Sequence, residues 1–180
     1  RMLHEISADD CAFHDTAVAM EDAGHSVVVV GIDDRPIGFI GLADALRDNA
    51  RDSVAALKRA GVKHVHMLTG DNKGTAQAVA RETNMDAFDA ELLPEDKVTS
   101  IKKLAARFAN VAMIGDGVND APAMASARLG IAMGAAGSDA AIETADIALM
   151  TDDLMRVSWL IGHARKVRTI VQQNIAFELA

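Results

Sequence analysis

The sequence feature that most constrains the fold is an acidic, glycine-rich loop near the middle of the chain. The loop, Gly115-Asp116-Gly117-Val118-Asn119-Asp120, follows the apolar run Val111–Ile114 and precedes Ala121-Pro122. An apolar run of this length predicts a buried strand, and proline favours the first turn of a helix. The pattern therefore predicts that two carboxylates lie at the end of a strand, ahead of a helix.

The residue types in this loop indicate chemistry with magnesium and phosphate. Asp116 and Asp120 supply the hard oxygen ligands that Mg²⁺ prefers, and the glycines beside Asp116 let the backbone turn sharply and approach a ligand. We expect Asp116 to be the principal ligand, with Asp120 as a direct or neighbouring one. Two other interpretations stay open from these residues. A calcium loop would require more acidic positions and a closing glutamate, and an ordinary acidic turn would bind nothing.

Two segments upstream fit a phosphate site. The apolar run Val65–Leu68 ends in Thr69-Gly70-Asp71-Asn72, ahead of a helical pattern that begins near Lys73. A threonine hydroxyl and backbone N–H groups near a helix N-terminus form a cradle for phosphoryl oxygens, although such a residue also serves as a plain helix cap. Pro94 predicts a second helix start with Lys97 in its first turn. A lysine there is either simply solvated or neutralises a transferring phosphoryl group.

Taken in order, these segments resemble a known family. Thr69–Asn72, Pro94-x-x-Lys97 and Gly115–Pro122 are similar to the second, third and fourth motifs of the haloacid dehalogenase-like phosphotransferases, and more closely to the phosphorylation domain of P-type ATPases. The resemblance runs from about Gly24 to Ala180. The heavy-metal-exporting class is matched further by Leu129–Gly134, Gly137–Asp139 and Glu143–Met150. This pattern favours the zinc/cadmium/lead branch over the copper branch.

The resemblance implies roles for individual residues. It implies catalytic roles for Thr69, Gly70, Asp71, Lys97, Asn119 and Asp120, phosphate or nucleotide binding by Thr69, Gly70, Lys97 and Asn119, and Mg²⁺ binding by Asp116 and Asp120. Mg²⁺ and ATP are the implied cofactors of the full-length protein. The phosphorylated aspartate of the family lies in an Asp-Lys-Thr-Gly-Thr run, which does not occur among these 180 residues. We therefore expect the chain alone to be inactive. The implied partners are the upstream phosphorylation segment, the nucleotide-binding, actuator and membrane domains of the same pump, and the transported heavy-metal cation.

The strand and helix patterns predict an α/β fold in more than one part. After Arg47 they alternate in the manner of a doubly wound parallel sheet, which is the Rossmann-like fold of the haloacid dehalogenase-like proteins. We assign residues 44–153 to this phosphorylation domain. Residues 26–42 predict an antiparallel hairpin, and the resemblance implies that residues 1–43 are the C-terminal remnant of a nucleotide-binding domain. Residues 154–180 predict a helix that leads toward the membrane, with a basic stretch at 165–168.

Composition excludes several classes of function. The net charge of −8 gives no electrostatic basis for nucleic-acid binding, and the single cysteine, Cys11, excludes a disulfide within the chain. No run approaches the ~18 apolar residues that span a bilayer, so we expect these residues to be soluble on their own. The resemblance implies that they are a cytoplasmic domain of an integral membrane protein. Two alternatives to a pump remain. One is a free-standing phosphatase, which would need an upstream Asp-x-Asp that these residues lack, and the other is a non-catalytic module that binds Mg²⁺ or phosphate.

Overall fold

Helix and strand alternate strictly over most of the chain. The computed structural model describes residues 11–22, 25–32, 35–42, 46–117, 119–134 and 139–179. The elements are α1 Cys11–Asp22, β1 Ser26–Ile32, β2 Arg35–Leu42, α2 Ala50–Arg59, β3 His66–Leu68, α3 Lys73–Thr83, β4 Ala87–Asp89, α4 Pro94–Arg107, β5 Ala112–Gly115, α5 Ala121–Ala125, β6 Leu129–Met133, α6 Asp139–Thr144, β7 Ile147–Leu149 and α7 Met155–Glu178. From α2 onward every strand lies between two helices, which confirms the predicted α/β class.

The strands of this part are parallel and form two hydrogen-bonded groups. One group pairs β3 with β4, and the other has the order β5-β6-β7. The apolar pattern of the sequence predicts a strand over Val62–Leu68, and β3 is shorter than that, since pairing begins at His66. The reason is that the Asp86 side chain accepts the Val65 N–H at 2.8 Å and so takes the place of a backbone acceptor.

The central strand β6 is buried on both faces, as a doubly wound fold requires. Its side chains alternate between two clusters, because successive residues of a strand point in opposite directions. Ala132 packs with Ile101 of α4 and Met124 of α5. Ile131 and Met133 pack on the other face with residues of α2 and α7. Helices therefore cover both faces of this strand group.

The hairpin predicted at 26–42 is also present. β1 and β2 pair antiparallel from Ser26↔Leu42 to Ile32↔Arg35, with a register shift between Val30 and Gly31. The connection at 33–34 lies outside the described residues.

Helix α7 confirms the long helix predicted after Leu154. It has 24 residues, and its side chains are exposed from Gly162 onward. Among the described residues, no helix is both long enough and apolar enough to cross a bilayer.

Candidate functional site

The loops that leave the carboxyl ends of the parallel strands carry the residues predicted to form a site. Thr69 directly follows β3, and Asp116 directly follows β5. Lys97 lies in the first turn of α4, the helix that follows β4, and its ammonium contacts Asp120 in the loop after β5. The carboxyl ends of the two strand groups therefore lie next to each other.

Lys97 and Asp120 form a close and mostly buried ion pair. The Lys97 Nζ lies 2.7 Å from Asp120 Oδ1, and the two side chains are only 19% and 15% exposed. The helix start is held by Asp96, whose carboxylate accepts the Leu93 N–H at 3.1 Å, and Pro94 occupies the first turn as predicted. Because the ammonium is anchored to the acidic loop, a positive charge is fixed at the carboxyl end of β5.

The acidic loop turns tightly around Asp116. The Asp116 carboxylate accepts the backbone N–H of Asn119 at 3.1 Å and its side-chain amide at 3.2 Å. Gly117 has a φ of +80°, and an added Cβ would lie 2.7 Å from the Ala141 Cα and 3.2 Å from the Ala132 Cβ. Both the conformation and the space therefore require glycine at 117.

The donor atoms of this loop fit magnesium. Mg²⁺ usually takes one or two protein carboxylates and completes its shell with water and phosphate, and Asp116 with Asp120 supplies such a set. Asp120 already accepts a hydrogen bond from Lys97 through Oδ1, whereas Asp116 is the more exposed of the two. Within the described part of the chain, no group of three or more histidine, cysteine or acidic side chains is placed to hold a metal.

The loop after β3 is organised by its own side chains. The Thr69 hydroxyl donates to Asp71 Oδ2 at 2.7 Å and accepts the Asp71 N–H at 3.1 Å. The cap of α3 is Asn72, whose side chain accepts the Thr75 N–H at 2.8 Å. Thr69 is therefore not the helix cap, which removes the plainer of its two interpretations.

Backbone bonds tie this loop to the start of α4. The Thr69 carbonyl accepts the Leu92 N–H at 3.1 Å, and Leu92 directly precedes Leu93, the N-terminal cap of α4. An added Cβ on Gly70 would lie 3.4 Å from the Leu92 carbonyl oxygen. The Thr69–Asp71 loop and the helix that carries Lys97 are thus neighbours.

One contact at this edge was not foreseen from the sequence. Arg47 forms an ion pair with Asp152, in the loop after β7, at 2.6 Å. A comparable bridge lies at the opposite ends of the strands, where Lys58 Nζ donates to the Asn84 carbonyl and to Asp86 Oδ1, both at 2.8 Å. The Lys58 hydrogen bond and the Val65 N–H hold the pKa of Asp86 below its usual value.

Comparison with known proteins shows what these features belong to. Residues 4–128 match the haloacid dehalogenase-like hydrolase family. The chain is 42% identical over 181 aligned residues to a probable cadmium-transporting ATPase of Staphylococcus aureus, covering 99% of this chain and 22% of that protein. It is 48% identical to a zinc-transporting ATPase of Synechocystis sp., covering 99% of this chain and 24% of the relative.

A solved structure agrees with these relatives. The crystal structure of a zinc-transporting PIB-type ATPase in the E2.Pi state is similar with a TM-score of 0.75 and 44% identity, covering 98% of this chain and 28% of that one. The chain spans about a quarter of the length of the relatives it matches. It belongs to the haloacid dehalogenase-like hydrolase family, and its homologues there are cadmium- and zinc-transporting P-type ATPases, whose catalytic domain it matches.

Proposed function

We propose that the protein containing this chain is an ATP-driven exporter of heavy-metal cations that forms an aspartyl-phosphate intermediate. The observation that carries the proposal is the likeness to the zinc-transporting PIB-type ATPase over 98% of this chain. Zinc and cadmium are the proposed cations, since the relatives are named for transporting them. In this proposal residues 44–153 are the phosphorylation domain.

The basic and hydroxyl side chains would bind the phosphoryl group. Lys97, anchored by Asp120, presents a fixed positive charge that neutralises the charge developing during transfer. The Thr69 hydroxyl, which donates to Asp71 in the structure, would turn its proton to a phosphoryl oxygen, and the Gly70 N–H would donate beside it. Asn119 holds Asp116 in place through two hydrogen bonds, and the second hydrogen of its side-chain amide would donate to a phosphoryl oxygen.

Asp116 would be the main protein ligand for Mg²⁺, with Asp120 beside it. When bound, Mg²⁺ would neutralise phosphoryl oxygens and fix their orientation. A nucleophilic aspartate must come from outside these 180 residues, because the Asp-Lys-Thr-Gly-Thr run is absent from them. We therefore propose that the chain alone does not hydrolyse ATP, and that its partners are the other domains of the same pump.

The remaining segments support this arrangement. A two-stranded hairpin is marginally stable alone, and exposed Val28, Ile32 and Ile40 of β1 and β2 leave apolar surface for further strands. From the family resemblance, we propose that residues 1–43 are the C-terminal remnant of a nucleotide-binding domain. At the other end, exposed Ile175 and Phe177 follow the basic stretch at 165–168, an order that fits a helix approaching a membrane.

The test is Asp116→Asn in the full-length protein, followed by acid-stable labelling with radioactive ATP. We expect Mg²⁺-dependent labelling in the unaltered protein and none above background in the variant. Asp52→Asn, the same chemical change in the first turn of α2, is the matched control and should label normally. Normal labelling of Asp116→Asn would overturn the assignment of the metal ligand.

A second assay separates the pump from a free-standing phosphatase. The 180-residue chain is incubated with Mg²⁺ and p-nitrophenyl phosphate, and we expect no turnover above background. Robust turnover that is lost in Asp71→Asn would favour the phosphatase, because Asp71 would then be the nucleophile.

A further inference from the structure

We propose that Arg47 is a positioning residue for the phosphorylation site, an inference that rests on the proposed function. Its Nη2 lies 2.6 Å from Asp152 Oδ2, and its Nη1 donates to the Asp152 carbonyl at 2.8 Å. One planar guanidinium therefore holds both the side chain and the backbone of the same residue. We call this pair of contacts the Arg47–Asp152 bridge.

A second contact strengthens the bridge. The Asn49 side-chain amide donates to Asp153 Oδ1 at 3.2 Å, and the same oxygen accepts the Met155 N–H at 3.0 Å, at the first residue of α7. On the other side, the Arg47 carbonyl accepts the Ala50 N–H at 2.9 Å, at the first residue of α2. The starts of α2 and α7 are thus joined, although Arg47 and Asp152 are 105 residues apart.

The bridged loop also touches the end of β6. The Thr151 carbonyl accepts the Gly134 N–H at 3.5 Å, and an added Cβ on Gly134 would lie 3.7 Å from the Asp152 Cβ. Gly134 directly follows β6 and has a φ of +63°. The loop after β7 therefore lies against the residue at which β6 ends.

The end of β6 in turn supports the acidic loop. Ala132 pairs with Gly115 in the strand register, and its Cβ lies 3.2 Å from the place where a Cβ on Gly117 would stand. Gly117 is next to Asp116. A series of neighbouring residues thus runs from Arg47 through the Thr151–Asp152 loop to Gly134, along β6 to Ala132, and on to Gly117 beside the proposed Mg²⁺ ligand.

This series predicts an effect on catalysis rather than on ATP binding. A catalytic group that is misplaced by even a fraction of an ångström loses rate, whereas remote binding contacts are unaffected. Without the Arg47–Asp152 bridge, the loop after β7 and the end of β6 are held less firmly, so Asp116 is less well positioned. The Mg²⁺ concentration that gives half-maximal phosphorylation should therefore rise, and the maximal rate of phosphorylation should fall.

The experiment measures the rate of phosphoenzyme formation in the full-length protein as the Mg²⁺ concentration is varied and, separately, as the ATP concentration is varied. We expect Arg47→Gln to lower the maximal rate of phosphorylation about fivefold, which is the change in rate that corresponds to the free energy of one partly exposed ion pair. The dependence of the rate on ATP concentration should be unchanged. Arg47→Gln combined with Asp152→Asn should be no slower than the worse single variant, because both remove the same contact. Arg47→Lys should be faster than Arg47→Gln and slower than the unaltered protein, since lysine keeps the positive charge but cannot make both contacts to Asp152 with one planar group.

Lys58→Gln is the matched control. Lys58 also joins one carbonyl and one carboxylate, but at the far ends of the strands, so its loss should cost similar stability and leave the phosphorylation rate unchanged. A wild-type rate and Mg²⁺ dependence in Arg47→Gln, or an equal fall in Lys58→Gln, would overturn the positioning role.

A measurement on the 180-residue chain separates this inference from the proposed function. The amide resonances of Gly134 and Gly117 should shift in Arg47→Gln and stay in place in Lys58→Gln. If both amides are unmoved by the loss of Arg47, the contact series is wrong. If the unaltered full-length protein forms no phosphoenzyme, the proposed function fails, while the amide shifts still decide the series.

Discussion

Replacing Gly117 by alanine should destabilise the domain more than the same change at Gly70 or Gly134, two other described glycines at its carboxyl edge. Gly117 has a φ of +80°, and an added Cβ would stand 2.7 Å from the Ala141 Cα. That neighbour is backbone of α6, so no side-chain rotation relieves the clash. On the other side, the Ala132 Cβ lies 3.2 Å away, on the fully buried face of β6.

The magnitude follows from two separate costs. Holding a non-glycine residue in the left-handed region costs about 1–2 kcal/mol, and forcing an extra carbon into a packed site costs about 1–3 kcal/mol. The sum is about 2–5 kcal/mol, a large part of the stability of an ordinary domain. We expect Gly117→Ala to lower the free energy of unfolding by that amount in urea titrations of the 180-residue chain.

Gly162→Ala is the matched control for this measurement. Gly162 lies within α7, where nothing stands within 4 Å of an added Cβ. Alanine is the better helix former, so this change should stabilise the chain by up to about 1 kcal/mol. A Gly117→Ala variant within about 0.5 kcal/mol of the unaltered chain would refute the reasoning, because that is the range of an unconstrained surface substitution.

Three other changes test separate parts of the structure. Lys97→Met should lower the free energy of unfolding by about 1–3 kcal/mol in urea titrations, because it leaves Asp120 mostly buried without its cation. The double variant Lys97→Met with Asp120→Leu should regain much of the lost stability in the same titration. A Lys97→Met chain as stable as the original would mean that the pair contributes nothing. Asp86 has a lowered pKa in the folded chain, chiefly through Lys58, so its stabilisation is present above the ordinary carboxyl pKa and is lost as pH falls below about 4. Melting temperatures between neutral and acid pH should therefore fall less in Asp86→Asn, and an identical acid profile would contradict the assignment. Asn72→Ala should cost about 1 kcal/mol through loss of the α3 cap, whereas Asn72→Asp, which keeps an acceptor, should cost less in thermal unfolding; equal losses would count against the cap.

Elements with local signals were predictable from the sequence. Pro94 marks the start of α4, and Asn84 marks the end of α3 because asparagine tolerates the left-handed conformation found there, with a φ of 60°. The burial of β6 on both faces likewise follows from its continuous apolar composition. These features depend on residues within a turn or a strand of each other, which is what a sequence pattern records.

Features that depend on distant side chains were not predictable. The strand before Thr69 begins late because Asp86, 21 residues away, binds the Val65 N–H. Several residues after that strand have the chemistry of a helix cap, and only the backbone of Asn72, with a φ of −64° and a ψ of 159°, places its side chain on the Thr75 N–H. The charge of Arg47 was visible in the sequence, but its partner was not.

Helix α7 has a mechanical consequence that follows from where it is held. At its first residue the Met155 N–H donates to the Asp153 carboxylate, and Val157 is buried in the first turn, while residues 162–179 are exposed. At 1.5 Å per residue its 24 residues make a helix about 36 Å long, with the loop after β7 at one end. A tilt of the helix by about 5° at its first turn would move its C-terminal end by about 3 Å. A change at the sheet that is too small to disturb the packing of β6 therefore becomes a displacement of side-chain size at the far end of α7.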